Sequence, residues 1–255
     1  MSALALARLS LYEIVRQRYA LLPILLAVGL ALAGTVSSPS LSVNGQALYP
    51  EAAQLIQVAI GLLSFAGMGL GALVGAGMLA PEIERGTALL LVTKPLPRAG
   101  VLLGKAAGAV AFLIGCFAAW GLVLGAIVAL RGVPGLALQA FGGMLAGVLP
   151  ATLMLAVAVA FSARWAMGAA LALTFCAWAL AGLATLLRHL AWEELPAIVR
   201  VARESAWLVP WSDMMRLPGE LAFGPAPATA TWLALLAIPA WVAIAVALFW
   251  RRDLG

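Results

Sequence analysis

PEIERGTALLLVTKPLPRAGVLLGK, residues 81–105, is a polar interruption between two glycine-rich apolar runs. It concentrates the charges of Glu82, Glu84, Arg85, Lys94, Arg98 and Lys105 in a chain with only 10% charged residues. Charges held between two membrane-length segments must lie outside the hydrocarbon, where they solvate, bind headgroups or dock a partner. Inside this polar frame sits Ala88-Leu89-Leu90-Leu91-Val92, too short to span a membrane and too apolar to be left in water. A brief helix pressing its apolar side into another protein suits such a segment.

Working outward, the 255 residues are 65% apolar, whereas an average soluble domain carries roughly a quarter charged residues. Crossing a hydrocarbon core of about 30 Å takes about 20 apolar residues in a helix. The apolar residues come in blocks of that length, so the fold expected is an all-α polytopic membrane protein. Barrel strands would alternate in segments of about ten residues, and these runs do not alternate. The net charge of +5 comes from basic residues flanking the runs, which is ordinary membrane topology and argues against nucleic acid as the partner. Cys116 and Cys176 both fall mid-run, no CxxC or Cys/His cluster exists, and His189 is the only histidine. This pattern argues against a disulfide framework and against a zinc site. A soft-metal site built from the two cysteines and some methionines is the alternative to packing; packing is the reading taken, with no metal.

Residues 4–18 precede the first run. Leu4, Ala7, Leu11, Ile14 and Val15 share one helical face while Tyr12, Glu13, Arg16 and Gln17 fall elsewhere, with Leu6 and Leu9 blurring the pattern. This predicts an amphipathic interfacial helix. A signal peptide with Arg16 and Arg18 before an apolar stretch is the competing reading, and the long structured lead-in argues against it. Six spans follow, at about 19–36, 52–79, 101–130, 136–161, 166–187 and 232–250, in a single transmembrane domain over 1–255. Residues 37–51 read as a short loop. Gly67, Gly71 and Gly75 lie four apart on one face of the second span, which lets another helix approach closely, within one subunit or across a dimer. Residues 188–231 form the other large polar segment, with Trp192, Trp207, Trp211 and Trp232 suited to the headgroup level. Short interfacial or re-entrant helices are expected there.

Placing both termini in the cytoplasm puts Lys/Arg 8, 16, 18, 85, 94, 98, 105, 164, 251 and 252 inside, and 131, 188, 200, 203 and 216 outside. That bias sets the orientation and makes 81–100 cytoplasmic and 188–231 periplasmic. As drawn, no span carries an ionisable residue near mid-bilayer, which argues against a proton-driven secondary transporter, an intramembrane enzyme and a selective ion pore. No GxxxxGK[ST] is present, so any ATPase would be a separate polypeptide.

Glu84-Arg-Gly-Thr87, the three leucines, Thr93-Lys-Pro95, Arg98 and Leu102-Leu-Gly-Lys105 together resemble the segment after the second span in ABC-2 type transporter permeases (type V exporter-like). The resemblance covers the whole chain, including the N-terminal helix and the short helices before the last span. It implies a coupling helix that rests on an ABC ATPase subunit: Glu82, Glu84, Arg85, Gly86 and Thr87 open it, Leu89, Leu90 and Leu91 dock, and Thr93, Lys94, Pro95 and Arg98 form its exit. Gly86 would interrupt the second span's continuation, Pro95 and Pro97 would stop the short helix, and the acids would suit its N-terminus. Val209-Pro-Trp-Ser-Asp213 with Arg216-Leu217 resembles the NP-x-D-x-x-R-L element of permeases from nitrous-oxide-reductase maturation (NosY type), with Val209 where those have Asn. Pro210, Asp213, Arg216 and Leu217 are the residues carried over.

The function implied is the inner-membrane permease subunit of an ABC transporter, a homodimer among membrane lipids, non-catalytic and without a cofactor of its own. ATP and Mg are expected in the partner ATPase. The second reading is a mechanotransmitter that passes the ATPase stroke to a periplasmic partner in copper or sulfur metalloenzyme maturation, with no cargo crossing the bilayer.

Overall fold

The computed structural model describes residues 3–16, 21–36, 42–43, 46–47, 52–84, 98–130, 132–189, 217–219, 221–222 and 228–250. Its helices are α1 (Ala3–Arg16), α2 (Leu21–Val36), α3 (Ala52–Glu84), α4 (Arg98–Leu130), α5 (Ala137–Ala146), α6 (Val148–Ser162), α7 (Met167–His189) and α8 (Ala228–Trp250). The chain is an all-α polytopic membrane protein. Among the described residues, three stretches are long and apolar enough to cross a membrane: Ile56–Ala80, Ala99–Leu130 and Pro134–Ser162. Met167–Leu183 and Leu236–Trp250 are shorter apolar helices.

α3 and α4 each have 33 residues. At 1.5 Å per residue that is about 50 Å, well beyond a hydrocarbon core of about 30 Å. Their polar ends, at Glu82 and Glu84 and at Arg98, are the surplus length.

α6 is the central pillar. It is apolar on every side, and Leu153 to Ala160 are all buried, as a helix surrounded by other helices should be. Its most extensive partner is α3. Gly71 lies on the Ala151 carbonyl, and a methyl group on Gly75 would come within 2.6 Å of the Leu155 carbonyl oxygen and 2.9 Å of the Ala158 Cβ. The pairing advances from 71 to 75 as it advances from 151 to 155, so the two helices run in the same direction. Two members of the predicted glycine stripe thus pack within one subunit. Gly67 faces a different neighbour, the Phe117 ring of α4.

α4 and α5 form an antiparallel pair, with Gly121 against Phe141 and Gly125 against Ala137. α4 ends in a glycine-capped turn. Gly132 takes φ +82, its N–H donates to Ala129 O at 3.1 Å, and Val133 N–H donates to Val128 O at 3.3 Å. That is the Schellman pattern, which needs a residue free to adopt left-handed φ.

The fourth apolar run, expected as one helix over 136–161, is divided at Gly147. Pro150 has no N–H to give the carbonyl four residues back, so the ladder is interrupted there. Gly147 N–H instead reaches Met144 O at 3.0 Å. The loop expected over 37–51 contains a two-strand antiparallel hairpin, Ser42–Val43 with Gln46–Ala47. Asn44-Gly45 between the strands is a strong two-residue hairpin signal that the loop reading passed over.

α1 follows α4. A Cβ on Gly108 would meet the Ala7 carbonyl oxygen and, at 2.9 Å, the Ser10 Cβ. At the start of α2, Pro23 O accepts a hydrogen bond from Trp120 Nε1 at 2.9 Å. Ser10 and Pro23 thus meet α4 at two levels, near Lys105 and Gly108 and near Trp120. The face that α1 buries differs from the expected one. Leu6, Ser10 and Ile14 are buried, while Val15 is 53% exposed. Gly108 explains the rotation, because the closest approach selects the small Ala7 and Ser10 over the larger apolar side chains.

Candidate coupling end of the bundle

Lys105 stands on the eighth residue of α4, within the first stretch of sequence that reads as span. A charge buried in apolar surroundings is costly unless polar groups receive it. Lys105 is buried, 7% exposed, and its ammonium donates to the Met78 carbonyl of α3 at 3.5 Å, a long contact. α3 has a reason to offer acceptors there. Pro81 carries no N–H, which leaves the carbonyl of Gly77, next to Met78, without its helical donor, so the ammonium reaches a turn whose carbonyls are not all committed to the helix. On the other side, Ser10 Oγ of α1 donates to the Lys105 carbonyl at 3.3 Å, and Gly108 lets α1 come close enough to do so. One turn of α4 is thereby joined to α1 and to the end of α3.

The last turns of α8 meet α4 at the same level, where Leu103, Val246, Ala247 and Trp250 line one groove. One end of the bundle therefore gathers α1, the end of α3, the start of α4 and the end of α8. The opposite end holds a different feature. Leu217, Pro218 and Gly219 are buried, with Gly219 beside the Gln57 side chain. A Cβ on Gly143 of α5 would lie 2.8 Å from Pro218 O, 2.7 Å from Ala222 Cβ and 2.8 Å from Ile60 Cδ1 of α3. This short segment fills the space between the beginning of α3 and the middle of α5.

Of the residues singled out in the sequence, Glu82 and Glu84 belong to the last turn of α3. They therefore stand at a helix C-terminus, which disfavours carboxylates, and not at the N-terminus of a separate short helix. α3 continues through Pro81 to Glu84, with the carbonyl of Gly77 left without its helical donor. Arg98 opens α4. Arg85, Gly86, Thr87, Leu89, Leu90, Leu91, Thr93, Lys94 and Pro95 lie outside the described residues, as do Pro210, Asp213 and Arg216. Leu217 is described and fully buried. Cys116 is buried in the core and Cys176 is exposed on α7, both as free thiols. Among the described residues no group of three or more His, Cys, Asp or Glu side chains assembles.

Lys105 is the residue that reading the sequence undervalued. The charge pattern groups it with the basic residues outside the hydrocarbon, whereas the structure buries it between α3 and α1. The available signal was its position: a lone lysine with glycines at 104 and 108, the pattern of a site where helices crowd.

A family model described as ABC-2 family transporter protein matches residues 4–254, nearly the whole chain. No curated protein matches it significantly.

Proposed function

The chain belongs to the ABC-2 transporter family and is a membrane permease subunit of an ABC transporter; from that premise we propose that residues 81–98 receive the stroke of a separate ATPase. Two copies pair in the inner membrane with both termini in the cytoplasm, six spans each. The partner ATPase holds ATP and Mg, and this chain contributes no catalytic group or cofactor. Leu89, Leu90 and Leu91 dock on the ATPase, with Glu82, Glu84, Arg85, Gly86, Thr87, Thr93, Lys94, Pro95 and Arg98 framing them.

The observation that supports this reading is the junction at Lys105. α3 and α4 flank the docking segment, and the Lys105–Met78 contact ties them together just inside it. Ser10 adds α1 to the same unit. A push on the segment is then delivered to a joined set of helices. The exposed face of α1, with Arg8, Tyr12, Glu13 and Arg16, suits the headgroup layer on that side.

Leu90→Asp tests the docking. The variant should insert into membranes normally and lose the ATPase in a pull-down. Undiminished retention of the ATPase by an inserted Leu90→Asp chain rejects the assignment.

A second reading, transmission to a periplasmic partner, draws on the opposite end. Pro218, Gly219 and Ala222 pack against α3 and α5, so in this reading a displacement of α3 is passed on through them toward the segment that carries Pro210, Asp213 and Arg216. In that reading the NosY-type resemblance is functional and nothing crosses the bilayer.

A further inference from the structure

Thr152, Ser162 and Thr174 each donate to a carbonyl three or four residues back in their own helix, at 2.7–2.9 Å. Ser64 on α3 does not. It is 1% exposed, and among the described residues its Oγ has no hydrogen-bond partner. A buried hydroxyl left unpaired is costly, so its place in the bundle asks for a reason. Ser64 Oγ faces Gly147, where the fourth apolar run is divided. A Cβ on Gly147 would lie 2.8 Å from that oxygen and would strike the Phe117 ring. Gly147 stands near the middle of the membrane-length stretch Pro134–Ser162, a depth at which no bulk water reaches a freed carbonyl. Pro150 leaves the Ala146 carbonyl there without its helical donor. An unspent donor and a freed acceptor thus stand at one break, on different helices.

The two halves of the run are held unequally. α6 is fixed: its Ala151 and Leu155 carbonyls lie on Gly71 and Gly75 of α3, and Thr152 Oγ1 closes its first turn on Val148 O. α5 is held more loosely. It meets Gly121 of α4 through a side chain, Phe141, and a Cβ on Gly125 would still stand 3.3 Å from Ala137 O. Leu138, Gln139 and Gly142 on its outer side are exposed. The pivot between the halves is smooth, because the Phe117 ring lies between Gly67 and Gly147, neither of which carries a Cβ. Gly147 itself has φ −61 and ψ −16, ordinary helical values that a glycine can leave at little steric cost.

We propose that α5 swings on Gly147 as the moving half of a mid-membrane hinge, and that Ser64 Oγ is its latch: unbonded in the arrangement of this structure, and donating to the Ala146 carbonyl once α5 has turned. Each arrangement then carries one cost, an unpaired hydroxyl in the first and a disturbed α4–α5 contact in the second, so both are populated. The swing moves only the half of the run that faces Leu217, Pro218 and Gly219, while the half seated on α3 stays in place. The hinge rests on α3 to α6 alone and is independent of the docking proposal.

Double electron–electron resonance on the detergent-solubilised full chain tests this. Spin labels go on Leu138→Cys of α5 and on Leu180→Cys of α7, both exposed positions, in a background carrying Cys116→Ala and Cys176→Ala. α7 is the reference because it packs on α3 and α6. Dilution into unlabelled chain leaves only distances within one copy. The parent should give two distances. Ser64→Ala should leave one of them, since it removes the latch. It should also raise the thermal midpoint of unfolding by about 2–4 °C, because the unpaired hydroxyl is gone from the arrangement that remains. Pro150→Ala, which returns an N–H to Ala146 O, should likewise leave one distance. A single distance in the parent overturns the proposal, as do two distances persisting in Ser64→Ala or in Pro150→Ala. A midpoint that stays or falls in Ser64→Ala overturns it too, because the hydroxyl would then be a packing element with no cost to relieve. Should Pro150→Ala fail to fold, Ser64→Ala decides the outcome.

Discussion

The α3–α6 seam and the Lys105 junction hold the same helix bundle by opposite means. At the seam, α3 lies on α6 through Gly71 and Gly75, backbone against backbone, surrounded by fully buried apolar side chains such as Leu70, Leu155 and Ala158. At the junction, α1, α3 and α4 meet through an ammonium, a hydroxyl and two carbonyls. In lipid there is no hydrophobic gain from bringing two apolar helices together, so the seam depends on van der Waals contact at short range. Such contact tolerates no added volume. The junction depends on directional bonds, each of modest worth, and such bonds can shift without the helices separating. The bundle is therefore stiff at its centre and adjustable at the end where α1, α3 and α4 meet.

The largest effect should come from adding volume to the seam. Gly75→Leu places a side chain where even a methyl group would lie 2.6 Å from the Leu155 carbonyl oxygen. Backbone cannot yield as a side chain can, so the cost should reach or exceed the upper part of the overpacking range, about 3 kcal/mol. Thermal unfolding in detergent should show a large loss of stability, together with poor recovery of monodisperse protein. A variant as stable as the parent would mean that the seam is not close-packed, and the contrast with the junction would disappear.

A smaller and more selective effect is expected at Lys105. Lys105→Met keeps the length and apolar character of the stem but removes the ammonium that reaches Met78 O. Stability should fall by about 1.5 kcal/mol, the low end of the range for a hydrogen bond from a charged group, since the contact is long. If residues 81–98 receive the ATPase stroke as proposed, ATP hydrolysis by the assembled transporter should fall further than that modest destabilisation accounts for, because α3 and α4 are no longer tied beside that segment. A loss of stability with ATPase coupling intact would make Lys105 a packing element only.

How far these features were legible follows from which physical rule decides each of them. Runs such as 101–130 are forced by the bilayer, whose thickness imposes a length that composition alone reveals. The Gly67, Gly71 and Gly75 stripe was visible as a face, but spacing says nothing about whose surface fills it. Gly67 turned out to serve Phe117, and its two companions serve α6. The face of α1 was misread for a related reason. Ranking by hydrophobicity favours Val15 and demotes Ser10, whereas the contact with Gly108 rewards small size. The interruption at Gly147 hides inside an unbroken apolar run, where hydropathy is blind to a missing N–H at Pro150. Burial of Lys105 was illegible because a lysine near a span end normally reaches for the interface, and only the placement of α1 and α3 closes that route.

The gentlest probe is Ser10→Ala. It removes the hydroxyl that donates to Lys105 O at 3.3 Å while retaining the small side chain that Gly108 admits. That carbonyl lies within α4 and keeps its helical partner, so no buried acceptor is orphaned and the cost should be only about 0.5–1 kcal/mol. Ser10→Leu separates the two roles that Ser10 combines. Its added volume would enter the closest approach of α1 to α4, and α1 should lift away. Protease accessibility of the N-terminal helix therefore reads the comparison directly: near parental for Ser10→Ala, strongly raised for Ser10→Leu. Accessibility raised to the same extent in both would mean that the hydrogen bond holds α1 and the close approach does not. The N-terminal helix would then depend on directional bonding alone, with no share of the steric logic that governs the centre of the bundle.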